Sequence, residues 1–381
     1  MLLAGLRSPH PYESSTMKRT ATPHLAAATA LGLAVLAGCG GSGTDGSGSG
    51  GAPAAPPATV TLVTHDSFNV SDEVLETFTA DTGFEVEILR GGDAGVMVNQ
   101  AVLTAGNPQG DVLFGVDNTL LSRAVEGEVF QPYRAAGLDL VPEELRPAGD
   151  VPVVPVDTGD ICVNYDRGWF AEQGVAPPET LDDLTAPEYR DLLVVENPAT
   201  SSPGLGFLLA TVAAYGEDGW QDWWRRLAGN GVEVVDGWEQ AYYDHFSGAS
   251  GGTGGGDRPL VVSYATSPPA EVVYGTGPEP EQAPTGVATG TCFRQIEYAG
   301  LLAGAANPEG GKALLDFLLG EDFQADVPLQ MFVHPVREGV PLPEVFTAYG
   351  VEIADPYTMD PQAITEGRER WVTEWTELVL R

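Results

Sequence analysis

Lysine is almost missing from this chain. Lys18 and Lys312 are the only two in 381 residues, and Lys and Arg together number 18 against 54 Asp and Glu. The resulting formal charge of −36 repels phosphate backbones, which excludes nucleic-acid binding through a basic footprint. That acidity serves first as solubilising surface charge, and it also favours a cationic or metal ligand. Histidine is scarce too: beyond the first forty residues only His65, His245 and His334 occur, too widely spread to suggest a triad. His-Glu-x-x-His, Gly-x-Ser-x-Gly, the P-loop and Cys-x-x-Cys are all absent. Paired carboxylates carry no specificity in a chain this acidic, so no residue is nominated as catalytic, and none as a metal or cofactor ligand. No apolar run reaches the ~18 residues of a membrane-spanning helix. What is there is globular. A 43% hydrophobic fraction with 8% aromatics excludes disorder for most of the chain. The length suits two domains of ~150 residues better than one.

The first forty residues set the compartment. Met17-Lys18-Arg19 reads as the true start, with residues 1–16 an over-called extension. An apolar run from Leu25 to Leu36 is too short to span a bilayer and reads as a signal peptide over residues 1–38. It ends in Leu36-Ala37-Gly38-Cys39, which resembles the lipobox of bacterial lipoproteins, so that Cys39 is the expected lipidation site. From Cys39 to Ala58 the composition is that of a flexible linker, placing a folded body near the outer face of a membrane.

Beyond Thr59, short apolar runs alternate with amphipathic stretches. Val60–Thr64, Glu85–Leu89 and Asp111–Val116 read as strands, with helices over Ser71–Thr82 and Val96–Ala105 between them. This β-α-β-α-β order is that of a mainly parallel sheet with covering helices. The alternation restarts at Leu192–Val195, with a helix over Pro203–Tyr215 and strands at Glu233–Val235 and Leu260–Ser263. Two long extended stretches, Asp150–Asp166 and Gly286–Tyr298, separate these units and contain Cys162 and Cys292. We expect a two-lobed α/β molecule joined by a pair of crossing strands, the first lobe from 59–160 and 293–381, the second from 161–292. Helices around Gly311–Leu319 and Thr365–Val379 are expected to pack back on the first lobe. The two cysteines are either a disulfide or two buried thiols. Gly248–Gly256 reads as a surface loop.

Candidate binding residues lie where strands end, the usual ligand position in open α/β sheets. Thr200, Ser201 and Ser202 precede a helix with Pro203 at its first turn. Such a start either holds an anion or is simply N-capped by Ser202. Trp238 and Tyr264 offer flat faces to a cationic ring, or else pack in the core. Tyr242-Tyr243 reads either as a phenolate pair for ferric iron or as one core and one surface aromatic on a helix.

Six segments, in order, carry a resemblance: His65-Asp-Ser-Phe68, Gly92-Asp-Ala-Gly-Val96, Asp111–Asn118, Thr200–Gly206, Gly237–Tyr242 and Ser263–Pro268, with a final Trp371-Val-Thr-Glu-Trp375. Together they resemble the thiamine-binding proteins of bacterial ABC importers. The resemblance implies a type II periplasmic-binding-protein fold and a monomer that needs no cofactor and does no catalysis. It implies thiamine or a thiamine phosphate as ligand, and an ABC permease with its ATPase as partner. It places ligand contacts at Asp93, Ala94 and Gly95, at Ser201 and Ser202 as phosphate-proximal hydroxyls, at Trp238, and at Tyr264, Ala265, Thr266 and Ser267. His65 stands where relatives can place a tyrosine, Phe332 where a tryptophan can occur, and Ala270 where some have an aromatic. Ferric-iron or polyamine binding by the same architecture is the alternative, and a surface-anchored phosphate-ester hydrolase a second one.

Overall fold

The computed structural model describes residues 58–250 and 256–381. The expected leader, the lipidation site Cys39 and the linker up to residue 57 lie outside the described residues, as does the middle of the glycine-rich loop.

In chain order the elements begin with β1 (Thr59–Thr64), α1 (Asp72–Thr82), β2 (Glu85–Arg90), α2 (Ala94–Leu103), β3 (Val112–Asp117) and α3 (Leu121–Glu126). There follow β4 (Val154–Asp166), α4 (Arg167–Gln173), β5 (Leu193–Glu196), α5 (Ser202–Tyr215), α6 (Trp220–Gly229) and β6 (Glu233–Val235). The chain closes with β7 (Leu260–Tyr264), α7 (Ser267–Val273), β8 (Thr285–Leu301), α8 (Pro308–Leu318), α9 (Glu321–Gln330), β9 (His334–Pro335), α10 (Glu344–Tyr349) and α11 (Pro361–Val379). Local chemistry explains the boundaries. Ser71 precedes α1, Asp72 and Glu73 sit in its first turn, and Gly83 ends it at φ 78°. Helix α2 starts two residues before the periodicity suggests, because the Asp93 side chain accepts from Ala94 N and caps it.

The sheet runs β2-β1-β3-β8-β4-β7-β5-β6, with β9 added beside β4. Strands β1, β2 and β3 are parallel, as are β5, β6 and β7. The two long strands connect these sets. Glu297–Leu301 of β8 pair with β3, whereas Gly286–Ala288 pair with the far end of β4, whose Ile161–Tyr165 pair with β7. Both extended stretches thus cross from one parallel set to the other, as expected. The ladder breaks where they cross. Ile161 faces Phe293 but Val163 faces Ala288, so Thr289–Cys292 loop out opposite Cys162. That excursion brings Cys292 to Cys162, and the two are disulfide-bonded in a small buried cluster with Ala265, Val287 and Ile353.

One core lies under β1, β3, α1, α8 and α9, with Phe78, Phe114, Leu314, Leu318 and Phe323 at its centre. A second is built on Leu193, Val195, Phe207, Leu208, Leu260 and the tryptophans of α6. Helix α11 touches more than one element. It lies across α6 as well as α3, and Trp375 meets Trp224 edge-on at 5.3 Å between ring centroids. The aromatic spacing of Trp371 and Trp375 puts both on one helix face, and the largest apolar surface available to that face is the tryptophan cluster of α6. No described helix is long and apolar enough to cross a membrane.

Candidate functional site

The starts of α2 and α5 and the loops after β1, β6 and β7 meet at the carboxyl ends of the parallel strands. Asp93 is the junction. Its Oδ1 accepts from Ala94 N at 2.6 Å and from Ser202 N at 3.3 Å, and its Oδ2 accepts from Trp238 N at 2.9 Å. Val96 N donates to Thr200 O beside it. The approach is so close that a Cβ on Gly95 would stand 2.5 Å from Thr200 O. Burial pushes the Asp93 carboxyl above the ordinary carboxylate range, against the opposing effect of the Trp238 N–H.

These contacts revise the reading of Ser201 and Ser202. The start of α5 is an anion seat, but the anion on it is the protein's own Asp93 carboxylate. Capping by Ser202 does not occur either. Ser201 takes the N-cap position without a side-chain bond, and Ser202 Oγ accepts from Gln295 Nε2 at 3.3 Å. A helix start buried with unpaired N–H groups attracts the nearest carboxylate, and Asp93 reaches it through space rather than along the chain. Ser201 Oγ is buried beside the Asp93 carboxylate, whose charge it helps to hold.

The indole of Trp238 is fixed on three sides. It stacks on Tyr242 at 5.0 Å, meets Tyr243 edge-on at 5.5 Å, and donates from Nε1 to Ser263 Oγ at 2.9 Å. Tyr264 lies 6.4 Å away, tilted. Ser267 supports this arrangement from behind: its Oγ meets Ser263 Oγ and accepts from Tyr264 N. Ala265, Thr266 and Ser267 are themselves buried, Ala265 against the disulfide. They hold the wall more than they face the cleft. Phe332 is not among the residues that line the cleft: it sits in the left-handed region at φ 54°, stacks on Phe346 and meets Tyr274. Tyr242 and Tyr243 do not form a metal-gripping pair. Tyr242 is buried under Trp238 and donates to Glu271 Oε1 at 2.6 Å, and Tyr243 is partly buried on the same π-helical turn. Glu233, His245 and Asp257 come close enough to hold a cation, yet Arg258 Nε already sits 2.6 Å from Glu233 Oε2.

Sequence reasoning missed the carboxylates around this junction. Asp157 and Glu297 are cross-strand partners on β4 and β8, both buried. His65 Nε2 stands 3.7 Å from Glu297, with its Nδ1 on Ser67 Oγ. The ring packs against Gly115, where a Cβ would come within 2.3 Å of its Cδ2. Burial opposes the imidazolium, but Glu297, Asp93 and Asp66 together outweigh it and the His65 pKa rises. His65 in turn overcomes burial at Glu297 and lowers its pKa, while burial and that same charge push Asp157 well up. Glu196, at the end of β5, is raised by burial against the opposing hydrogen bond of its own backbone N–H, and the Asp93 charge adds to the rise. Asp117 ends β3, and burial raises it to about 6. Their one sequence signal is position, at or near the ends and crossing points of strands.

Beside Asp93 and Trp238 opens a cleft of about 450 Å³, within the usual range for small-molecule sites. It is lined by Asp66, Asp93, Glu239 and Asp244, with Ser67, Gly237, Trp238, Gln240 and Tyr243. Four carboxylates and two aromatic rings face it, and no Lys or Arg among the described residues lines it. Such a cleft can hold a flat cation.

Comparison with known proteins gives a consistent picture. Residues 107–253 match a family model described as bacterial extracellular solute-binding protein. The thiamine-binding periplasmic protein of Brucella suis biovar 1 (strain 1330) is 30% identical over 341 residues, covering 85% of this chain and 92% of that protein. Among solved structures, a periplasmic thiamin binding protein superposes with a TM-score of 0.72 at 28% identity, covering 85% of this chain and 96% of that one. Iron-bound HitA from Pseudomonas aeruginosa superposes with a TM-score of 0.65 at 19% identity, over 84% of this chain and 99% of that one, a likeness of fold alone.

Proposed function

The chain belongs to the family of thiamine-binding periplasmic proteins, with the two-lobed type II periplasmic-binding-protein fold, and from that premise we propose that its acid-lined cleft captures thiamine for import. The observation that carries this reading is the cleft's composition: four carboxylates and the Trp238 and Tyr243 rings, with no lining base. Thiamine is a flat, permanently charged thiazolium joined to an aminopyrimidine. The thiazolium would lie against the Trp238 wall, a cation–π contact worth ~0.5–2 kcal/mol according to desolvation. The aminopyrimidine would hydrogen-bond near Asp93 and Gly95. Ligand contacts to both sides of the cleft favour the closed form, with β4 and β8 as the hinge between lobes 59–160 plus 293–381 and 161–292. A monomer anchored by lipid at Cys39 to the outer face of the membrane would then pass thiamine to an ABC permease and its ATPase. No covalent step is involved, in keeping with relatives that are solute-binding proteins and not enzymes.

Calorimetric titration with thiamine, ferric iron and spermidine tests the reading. Saturable binding of thiamine and none of ferric iron is expected. A protein that binds iron or spermidine but not thiamine overturns it, and hydrolysis of thiamine monophosphate would point to the hydrolase instead.

A further inference from the structure

We propose that Glu271 is a positioning residue for the cation wall of the cleft, its buried carboxylate acting through Tyr242 to hold the Trp238 face and make it prefer a charged ring; the inference rests on the thiamine reading above. Glu271 lies on α7, one turn after Ser267, and is 2% exposed. Both of its oxygens accept. Oε1 takes the Tyr242 O–H at 2.6 Å, and Oε2 takes the backbone N–H of Ser250 at the edge of the glycine-rich loop. Burial raises the Glu271 carboxyl above its ordinary range, and these same two partners oppose that rise; no base stands among its neighbours in the described residues. Two donors aimed at one carboxyl group suit its ionised form.

Helix α7 grips the indole at two points. Ser267 and Glu271 stand four residues apart, on one face of the helix. Ser267 Oγ meets Ser263 Oγ at 2.9 Å, and Ser263 Oγ accepts from Trp238 Nε1. Glu271 holds the Tyr242 hydroxyl, and the Tyr242 ring stacks on Trp238 at 5.0 Å with 21° between the planes. The first contact fixes the edge of the indole, and the second fixes the ring behind it. A hydrogen bond to a carboxylate is stronger than one to a neutral acceptor, and it draws negative charge onto the phenol. That charge lies behind the Trp238 face, where it favours a cation in front. An uncharged ring of the same shape gains the packing alone.

The test is calorimetric titration at pH 8 of the parent, Glu271→Gln, Tyr242→Phe and the double variant. The ligands are thiamine and an analogue whose thiazolium is replaced by an uncharged thiophene. Glutamine keeps an acceptor for the phenol and removes the charge, whereas phenylalanine keeps the stack and removes the link. In Glu271→Gln thiamine should bind at least about threefold more weakly, and the analogue should change by less than about twofold. Tyr242→Phe should lower the preference for thiamine over the analogue likewise, and adding Glu271→Gln to it should lower that preference no further. If Glu271 only anchors the loop, both ligands weaken alike, and an unchanged preference in a folded Glu271→Gln overturns the proposal. Losses that add in the double variant overturn the route through Tyr242. Should Glu271→Gln not fold, an unchanged preference in Tyr242→Phe is enough to overturn it. A parent that binds no thiamine fails differently, since it removes the thiamine reading and this preference with it.

Discussion

A tryptophan whose indole N–H is already committed offers a ligand mainly its face. Trp238 is held by Ser263 through Nε1 and by Tyr242 through one ring face, which fixes its orientation before any ligand arrives. Preorganisation of this kind concentrates binding energy in a few aromatic residues. Trp238→Ala should therefore weaken thiamine binding by ~1–3 kcal/mol. If the ring were only core packing, the variant would instead melt earlier and keep its affinity. Measuring melting temperature and affinity on the same preparation separates the two, and unchanged affinity defeats the assignment. Gly95 is the residue-scale counterpart on the opposite wall. Gly95→Ala puts a Cβ 2.5 Å from the backbone oxygen of Thr200, so the two sides can no longer meet. Thiamine affinity should fall at least about tenfold, roughly 1.4 kcal/mol, and the unliganded protein should melt earlier as the Val96 N–Thr200 O contact opens. Parent-like affinity would show that the cleft closes by some other contact.

At the scale of elements, the crossing of β4 and β8 decides how the halves can move. The disulfide sits at the register break, where the ladder between the two strands is already interrupted. It fixes the relative position of the strands while leaving each flank able to bend. Replacing both cysteines by serine should lower stability by about 2–5 kcal/mol, read from denaturant midpoints, with the fold retained. Free thiols titrated in unreduced protein would remove this expectation. These long strands were legible in the sequence because Asp150–Asp166 and Gly286–Tyr298 are extended runs without helical spacing. The first three strands and the two helices between them were legible from short apolar runs and helical spacing, whereas the cap that Asp93 places on α2 lay outside that spacing. Helix α7 was not, since it opens on Ser267-Pro268-Pro269, which reads as a loop, and α9 carries Pro328 within it. The site was half legible. Trp238, Asp93 and Ser202 lie together as the motifs suggest, but Asp93 capping α5 joins residues over a hundred positions apart, which no local pattern records. Phe332 shows the converse, a residue nominated by alignment of a motif and placed by packing against Phe346 and Tyr274.

For the whole molecule, stability and binding should answer to pH in opposite senses. Asp117 is raised from 3.8 to about 6 by burial, so its contribution is fully present below 3.8 and is lost as pH rises through about 6. Two pKa units correspond to about 3 kcal/mol. Asp93, Asp157 and Glu196 are raised for the same reason and act in the same direction. His65 is raised as well, so its stabilisation is present below 6.5 and fades above it. Glu297 is lowered, chiefly by His65 against its own burial, so its contribution holds above 4.5 and is lost only as pH falls further. The unliganded protein should thus melt at higher temperature at pH 5.5 than at pH 8, and lose stability again well below 4.5. Thiamine reverses the balance. A cation in the cleft favours ionised carboxylates and neutral His65, so binding should release protons and tighten several-fold from pH 5.5 to pH 8. Calorimetry at pH 5.5 in two buffers of different ionisation heat measures the protons released, and melting curves across the same range measure stability. Proton uptake on binding, or equal affinity at both pH values, would show that the buried carboxylates are structural and do not sense the ligand's charge.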